Sequence, residues 1–310
     1  MLMNKIIELI VDERYDGERI DHFLACAIPE YSRSFFQKLI KTGKIKYGSN
    51  DCPETKCTVR KGVKVSIEMP EEKKKILAGE NIPLDVIYED DDMLVVNKAP
   101  GMVVHPAAGN WDGTVVNALL GRDEEFAEKL EDGFRPGIVH RLDKDTSGCL
   151  IIAKNSSSHF QLAKLFQERK IKKTYAALVC GFPPKNQDKI ITNIGRHPVN
   201  RKKMTVVHKA GRLAVTKYEV IKRGRIENVP VSLLEIQIET GRTHQIRVHL
   251  AYKHLPILGD RVYGGKQAVE APRQMLHAWK IAFPHPKTRE LMEIESPFPE
   301  DFIDTENSIR

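Results

Sequence analysis

The chain has 310 residues, with 49 lysine and arginine residues against 42 aspartate and glutamate residues, and 41% of its side chains are hydrophobic. This balance describes a globular protein of about two domains and excludes collagen-like, coiled-coil and disordered chains. No apolar run approaches the ~20 residues of a membrane span, and the charged N-terminus lacks the features of a signal peptide, so we expect a cytoplasmic protein.

The first unit, placed at residues 14–75, is predicted to be small and of α+β type. Apolar residues recur at helical spacing in Arg19–Leu24 and in Arg33–Ile40. Ser32 is the expected N-cap of the second helix, and Gly43 is expected to end it. Short alternating strands are predicted to follow, within 44–48 and 59–67.

Three motifs of this unit resemble an S4 RNA-binding domain. They are Arg19-Ile20-Asp21, Ser32-Arg33-Ser34 and the run from Leu39 to Ile45. The resemblance implies that the unit binds RNA through its basic side chains. The candidates are Arg33, Lys38 and Lys41.

A polar stretch interrupts the apolar pattern after this unit, and we assign a linker to 76–83 and a second domain to 84–305. The second domain shows six short apolar stretches typical of strands and two segments with helical spacing, Ser158–Arg169 and His244–Tyr252. The predicted strands are Val86–Tyr88, Leu94–Asn97, Leu150–Ala153, Tyr175–Val179, Ala214–Val220 and Leu233–Ile238. Strands with irregularly spaced helices favour an α+β fold over a regular βαβ winding.

The segment Arg135–Gly148 contains two aspartates, Asp143 and Asp145, and its chemistry is open on residue types alone. It imitates the first half of a calcium loop, but the twelfth position, which needs a bidentate Glu, is Lys154. The Asp-x-Asp pair is also found in magnesium-dependent phosphotransferases. A third interpretation makes the acids turn caps and salt-bridge partners.

The window 196–225 carries ten lysine and arginine residues and one acid, Glu219. Pro198, Asn200 and Gly211 divide it into hairpin-like pieces, so it is predicted to form a basic ribbon. Such a ribbon suits a nucleic-acid backbone better than an ordinary solvated face. Five cysteines without a Cys-x-x-Cys pair indicate free thiols and no metal site, and neither a dinucleotide fingerprint nor a P-loop suggests a nucleotide cofactor.

Three further motifs, in this order, resemble the RluA family of RNA pseudouridine synthases. They are His140-Arg141-Leu142-Asp143 with Thr146-Ser147-Gly148, the run from Lys173 to Gly181, and the run from Thr240 to Leu250. The resemblance spans nearly the whole chain and is closest to members that modify large-subunit ribosomal RNA. It implies a mixed, largely antiparallel central sheet with flanking helices and loops.

The reaction of that family breaks a C–N glycosidic bond and joins the same uracil to the same sugar through carbon. No redox step or external donor enters, so no cofactor is implied. Unlike a hydrolytic glycosidase, such an enzyme must exclude water, and one ionised carboxylate suffices. The resemblance assigns that role to Asp143 and the role of its charged partner to Arg247. It assigns stacking on the target base to Tyr175, and leaves open whether Tyr175 also takes the C5 proton.

The target uridine must leave its helix to react, and Arg141 is placed by the resemblance to fill the vacated stack or to hold the phosphate. Other RNA contacts are expected from the loop, from Arg242 and from the basic ribbon. The remaining candidates are His140, Arg196, Arg201, Lys202 and Lys203. The expected partner is large-subunit ribosomal RNA, in a stem-loop, with a monomeric enzyme as the default. A synthase for transfer RNA or another ribosomal site, or a non-catalytic RNA-binding assembly factor, stays open.

Overall fold

Contacts divide the chain into two units, residues 1–76 and 77–310. The computed structural model describes residues 6–29, 31–51, 54–69, 78–106, 109–123, 125–126, 136–200, 203–265 and 269–310. The first unit includes a strand before residue 14, where the sequence placed its start. Residues 78–83, assigned from sequence to a linker, belong to the second unit, where Glu80 N–H donates to the carbonyl of Asn117.

The first unit is a four-stranded antiparallel sheet with two helices. The strand order is β1-β4-β2-β3. The elements are β1 (Ile6–Ile10), α1 (Ile20–Ala27), α2 (Arg33–Lys41), β2 (Ile45–Tyr47), β3 (Asn50–Asp51) and β4 (Lys64–Glu68). Ser32 caps α2 by accepting a hydrogen bond from Phe35 N–H, and Gly43 follows the helix with a φ of 68°. Both helix predictions are therefore confirmed.

Asp21 is the buried acid of this unit. Its carboxylate accepts hydrogen bonds from Arg19, Arg33 and Gln37. Burial alone would raise the pKa of Asp21, but these donors outweigh it and hold the pKa well below its usual range. Arg33, predicted to bind RNA, thus has its Nε and Nη2 groups engaged within the unit, whereas Lys38 and Lys41 are exposed.

The second unit is built on one ten-stranded sheet with four α-helices among its described residues. The strands are β5 (Val86–Glu89), β6 (Met93–Lys98), β7 (Ser147–Ala153), β8 (Lys172–Cys180), β9 (Gln187–Arg196), β10 (Met204–Val207), β11 (Arg212–Ile226), β12 (Val229–Ile238), β13 (Leu276–Pro284) and β14 (Leu291–Glu295). The helices are α3 (Val115–Arg122), α4 (Ser156–Gln167), α5 (Gln245–Tyr252) and α6 (Glu300–Asn307).

The sheet runs in the order β10-β9-β11-β12-β8-β13-β7-β6-β5, and β14 pairs with β13. Among the described strands, β13 and β7 pair in parallel and the other neighbours are antiparallel. The predicted α+β class with a mixed, largely antiparallel sheet is confirmed. None of the described helices combines the length and the apolar content needed to cross a bilayer.

Each predicted strand of this unit is present, and the basic window does form antiparallel pieces. Strand β9 pairs with both β10 and β11, and β11 continues to Ile226 against β12. The sequence patterns missed β9, β13 and β14 together with α3 and α6. Strand β9 alternates weakly because its buried residues, Ile190 and Ile194, stand four positions apart and the apolar Ile191 is exposed.

The parallel pair β7 and β13 brings two backbones unusually close beside the Asp143 loop. Gly148 lies in this pair at a φ of +110°, and a Cβ added there would lie 2.2 Å from the carbonyl oxygen of Ala278. Only glycine fits such a position, because both the backbone conformation and the space exclude a side chain. Gly148 therefore allows the strand that begins directly after the loop to join the centre of the sheet.

We expect Gly148→Ala to lower the free energy of unfolding by about 3 kcal/mol or more, because backbone strain and overpacking add. Gly113→Ala is the matched control: Gly113 also has a positive φ, +69°, but open space surrounds its Cβ position. The control should cost only about 1 kcal/mol. Urea unfolding of both variants measures the difference, and equal losses would contradict the close approach.

Candidate active site

The loop that carries Asp143 is fixed to the sheet by hydrogen bonds at both ends. Gly137 and Ala153 pair through a backbone hydrogen bond of 2.9 Å, and the N–H of Thr146 closes a turn on the carbonyl of Asp143. On the far side, Gln274 Nε2 donates to the hydroxyl of Thr146 over 3.0 Å. The carboxylate of Asp143 is therefore presented from a rigid turn.

Lys98 supports the same loop from the interior of the domain. It is 1% exposed, and its ammonium donates to the carbonyls of Ala99, Met102 and Lys144 over 2.8, 2.9 and 2.9 Å. Burial lowers the pKa of Lys98 to about 7. The lysine ties β6 to the residue next to Asp143, so it sets where the backbone of the loop lies.

Helix α5 supplies the arginine, and a buried glutamine sets the entry to that helix. The side-chain oxygen of Gln245 accepts hydrogen bonds from Thr240 and from the N–H of Arg242, and its amide donates to Val215 and Thr216 of β11. His244, the N-cap, has a left-handed backbone with a φ of 55°. This turn directs the first residues of α5 toward the Asp143 loop.

Arg247 lies between two carboxylates and hydrogen-bonds to both. Its Nη1 donates to Asp143 Oδ2 over 2.9 Å, while Nε and Nη2 donate to the two oxygens of Asp260 over 2.7 and 2.9 Å. Asp143 is 25% exposed, Arg247 6% and Asp260 0%. Burial would lower the pKa of Arg247, but the two acids outweigh it and raise the pKa above its usual value. The guanidinium therefore stays charged and stabilises negative charge on Asp143.

Asp260 is itself held by the backbone and keeps Arg247 in place. Its Oδ1 also accepts the backbone N–H groups of Val262 and Tyr263 over 2.9 and 3.0 Å. Burial raises the pKa of Asp260, but the ion pair with Arg247 outweighs it, so the pKa is lowered. Because Asp260 uses two guanidinium nitrogens, the third, Nη1, points at Asp143.

His244 lies beside Asp143 and is held by Tyr263. The hydroxyl of Tyr263 accepts a hydrogen bond from the N–H of Met204 over 2.9 Å and lies 2.8 Å from His244 Nδ1. The hydroxyl and Nδ1 share one hydrogen bond, which leaves Nε2 as the ring nitrogen on the side of Asp143. That nitrogen lies 3.9 Å from Asp143 Oδ1. The second carboxylate oxygen thus faces a polar group across a gap rather than a direct hydrogen bond.

Tyr175 lies on β8 and is 8% exposed. Burial, followed by the charge of Asp143, raises the pKa of Tyr175 above its usual range, so its hydroxyl is protonated at neutral pH. Together with Asp143, His244 and Arg247 it lines a cavity of about 560 Å³. A cavity of this size is in the range that holds small-molecule ligands.

The other residues predicted to bind RNA are placed differently from one another. Arg141 is exposed and lines the cavity, as does Arg242, whose Nε donates to the carbonyl of Leu213. His140 also lines the cavity, but its Nε2 accepts the N–H of Ile151 over 2.9 Å and its ring stacks on Phe166. Burial lowers the pKa of His140 to about 3, so the ring is neutral.

The basic ribbon is described only in part. Arg196 lies exposed at the end of β9, and Arg201 and Lys202 lie outside the described residues. Lys203 donates to the carbonyl of Val262 over 2.7 Å, next to the Asp260 turn. The Lys203 ammonium therefore helps to hold the backbone of the turn that follows Asp260.

Four residues of the site, Lys98, His244, Asp260 and Tyr263, were not assigned a role from the sequence. Asp260 and Tyr263 stand in the run from Pro256 to Gly265, which also resembles the RluA family, and this was the available signal for them. Nothing in a linear pattern pairs Asp260 with Arg247, since they stand thirteen positions apart and the rest of helix α5 lies between them.

The metal-dependent hypotheses for the Asp143 segment find no support in this geometry, because the carboxylate is paired with a guanidinium. A cluster of potential metal ligands in the described part of the chain is Asp90, Asp92 and His285. There His285 Nδ1 accepts the N–H groups of Lys287 and Thr288, which puts the proton on Nε2, facing Asp90 over 2.8 Å. The imidazole therefore acts as a hydrogen-bond donor to Asp90.

Comparison with known proteins gives one consistent result. Residues 92–252 match the family described as RNA pseudouridylate synthase. An uncharacterized RNA pseudouridine synthase of Aquifex aeolicus is 42% identical, over 97% of this chain and 96% of that protein. The ribosomal large subunit pseudouridine synthase D of Salmonella typhimurium is 38% identical, over 97% of this chain and 93% of its own.

Among solved structures, human RNA Pseudouridylate Synthase Domain Containing 1 is similar with a TM-score of 0.60 and 29% identity. The similarity covers 71% of this chain and 86% of the human chain. A second human structure, RNA Pseudouridylate Synthase Domain Containing 4, has a TM-score of 0.55 and 23% identity and supports the same fold.

We expect Arg247→Met to lower the free energy of unfolding by about 3–5 kcal/mol, because it leaves the buried carboxylate of Asp260 without its partner. Adding Asp260→Asn should restore part of the loss, since the unpaired charge is then removed. Arg242→Met is the control and should cost at most about 1 kcal/mol. Urea unfolding checks all three, and a loss below that of the control would contradict the buried ion pair.

Proposed function

Because this chain belongs to the RNA pseudouridine synthase family, we propose that it converts specific uridines of large-subunit ribosomal RNA to pseudouridine. The family makes the chain an enzyme, and the substrate is proposed from relatives named ribosomal large subunit pseudouridine synthase D at 38–41% identity. The single observation that carries the mechanism is the hydrogen bond between Arg247 and Asp143 inside an open cavity.

We propose Asp143 as the catalytic carboxylate. Arg247 holds Oδ2, so Oδ1 is the oxygen that faces the substrate. The reaction breaks the bond between C1′ and N1, forms a bond between C1′ and C5, removes the proton from C5 and places a proton on N1, so the product is an isomer of the substrate. An ionised Asp143 serves this sequence as a nucleophile toward either C1′ or C6, and both routes use the same oxygen.

We propose that the apolar part of the cavity lining keeps water away from the intermediate. Tyr175, Leu142 and Ile246 contribute buried apolar surface to its lining, and the detached uracil must turn within it without leaving. We propose that Tyr175 packs its ring against the flipped base. Its protonated hydroxyl in the resting enzyme favours this stacking role, because a proton acceptor would have to be deprotonated first.

The flipped uridine leaves a gap in the RNA, and exposed Arg141, two residues before Asp143, is proposed to fill it or to hold the adjacent phosphate. The first unit, with its S4-like motifs and exposed Lys38 and Lys41, and the basic ribbon are proposed to bind the surrounding stem-loop. We propose a cytoplasmic monomer that needs no cofactor.

We expect Asp143→Asn to lower the rate of pseudouridine formation at least about 1,000-fold, because the amide cannot act as the nucleophile. Binding of large-subunit RNA should change by less than about threefold, since affinity comes mainly from phosphate contacts. Asp145→Asn, in the same loop, is the control and should stay within about tenfold of the parent. The readout is pseudouridine mapped in transcribed large-subunit RNA, and a parental rate in Asp143→Asn would refute the assignment.

The choice of RNA is tested separately. Pseudouridines mapped in wild-type cells and in cells lacking this protein should differ at sites in large-subunit ribosomal RNA. A loss confined to transfer RNA would keep the enzyme and its site but change the substrate. Normal growth of cells with Asp143→Ala, together with failure on deletion, would instead identify RNA binding as the essential activity.

A further inference from the structure

The cavity contains a second group of charges, at the end formed by β8, the C-terminal end of α4 and the loop before α5. Lys173, Arg169 and Arg242 all line it. A Cβ placed on Gly241 would lie 3.9 Å from Lys173 Nζ, so the loop backbone that carries Arg242 passes beside the Lys173 ammonium. We name Arg169, Lys173 and Arg242 the cationic cluster.

These cations repel one another, and the acids nearby are already committed. Burial and the charge of Arg169 lower the pKa of Lys173, and burial, Arg212 and Arg169 lower the pKa of Arg242. Among the described residues, Glu168 pairs with Lys170 and Glu239 pairs with Lys189 and Lys217. No described carboxylate pairs with a member of the cationic cluster, in contrast to Arg247.

Arg169 occupies a position that favours glycine. Helix α4 ends at Gln167, and Arg169 follows its C-cap with a φ of 58°. The N–H of Lys170 bonds to the carbonyl of Leu165, which is the hydrogen bond of a Schellman motif, where glycine is the usual residue. An arginine here accepts backbone strain that glycine would not have, and its side chain reaches the cavity.

Lys173 and Tyr175 stand two residues apart on β8, and both line the cavity. Alternate residues of a strand share a face and lie about 7 Å apart. A nucleotide whose base packs against Tyr175 therefore has an ammonium within reach of its own backbone. The Lys173 ammonium lies over the ring of Phe166, with Nζ 5.7 Å from the ring centroid.

We propose that the cationic cluster is a phosphate subsite, in which Lys173, Arg169 and Arg242 together bind the RNA phosphodiester next to the flipped uridine. The subsite rests on the proposed function and adds two residues, Arg169 and Lys173, that hold the nucleotide rather than perform the chemistry. Binding an anion offsets the mutual repulsion of the three cations, and phosphate oxygens offer enough acceptors for all of them.

The test compares Lys173→Met and Arg169→Gly with the wild type on transcribed large-subunit RNA. Each should raise KM and the Kd for RNA about tenfold, the usual value of a charged hydrogen bond, with the loss in KM rather than in kcat. Each should also reduce the slope of log Kd against log salt concentration by about one. Lys173→Arg keeps the charge and should restore most of the affinity.

Arg169→Gly separates binding from folding, because glycine relieves the left-handed backbone. Its midpoint of urea unfolding should equal or exceed that of the wild type while RNA affinity falls. Arg289→Gly is the matched control: Arg289 is also left-handed, with a φ of 67°, and its guanidinium contacts Gln161 outside the cavity. It should leave KM, Kd and the salt slope at parental values.

Unchanged KM, Kd and salt slope in Lys173→Met and Arg169→Gly would overturn the subsite, as would losses equal to those of Arg289→Gly or a loss confined to kcat. These outcomes differ from failure of the proposed function, in which the wild type itself forms no pseudouridine in large-subunit RNA. Even in that case the subsite can be tested by measuring the Kd for RNA of Lys173→Met and Arg169→Gly in the Asp143→Asn background, because that measurement does not require catalysis.

Discussion

The ion pair between Arg247 and Asp143 is the interaction on which the catalytic domain depends. One guanidinium serves two carboxylates, and Asp260 takes two of its nitrogens together with two backbone N–H groups. The remaining nitrogen reaches Asp143. Removing such charges from water is costly, and a buried pair seldom adds net stability, so the arrangement is better understood as fixing geometry. It holds one oxygen of Asp143 and leaves the other toward the cavity.

The fold brings this pair together from distant parts of the chain. Asp143 lies on the loop before β7, and Arg247 lies on α5, 104 residues later. The loop itself is held through backbone carbonyls, since Lys98 donates to Lys144 and Arg273 donates to Asp145 over 2.9 and 3.0 Å. Arg273 is in turn paired with Asp301 of α6. Supports of this kind position the carboxylate of Asp143 without consuming its oxygens.

The cavity thus contains two kinds of cation: one that pairs with carboxylates, and others that have no described carboxylate partner. Arg247 is neutralised by Asp143 and Asp260 and acts within the protein. Lys173 and Arg169 have no described carboxylate partner and present net positive charge to the open space, as a backbone phosphate requires. In the proposed function, chemistry at the sugar or base needs an ionised carboxylate, whereas RNA binding needs cations that no acid neutralises, and the two groups occupy different ends of the cavity.

Local patterns in the sequence determined much of this protein. The helices α1 and α2 and the strands β6, β7, β8 and β12 follow from short-range periodicity and caps, because those signals involve neighbours in the chain. The family motifs identified Asp143, Tyr175 and Arg247, and the structure gathers all three around one cavity. The roles proposed for them derive from that resemblance and from the geometry together.

Other features were decided only by tertiary structure. Asp260 matters because it meets Arg247 across a turn, and Lys98 because three carbonyls converge on it. His140 looked like an RNA ligand in a basic motif, yet its Nε2 accepts a backbone N–H of β7. Arg33, also predicted to bind RNA, donates hydrogen bonds to the buried Asp21 while its side chain stays 45% exposed. Whether a charged side chain faces a partner or solvent depends on residues far away in sequence, and composition and spacing contain no record of those distances.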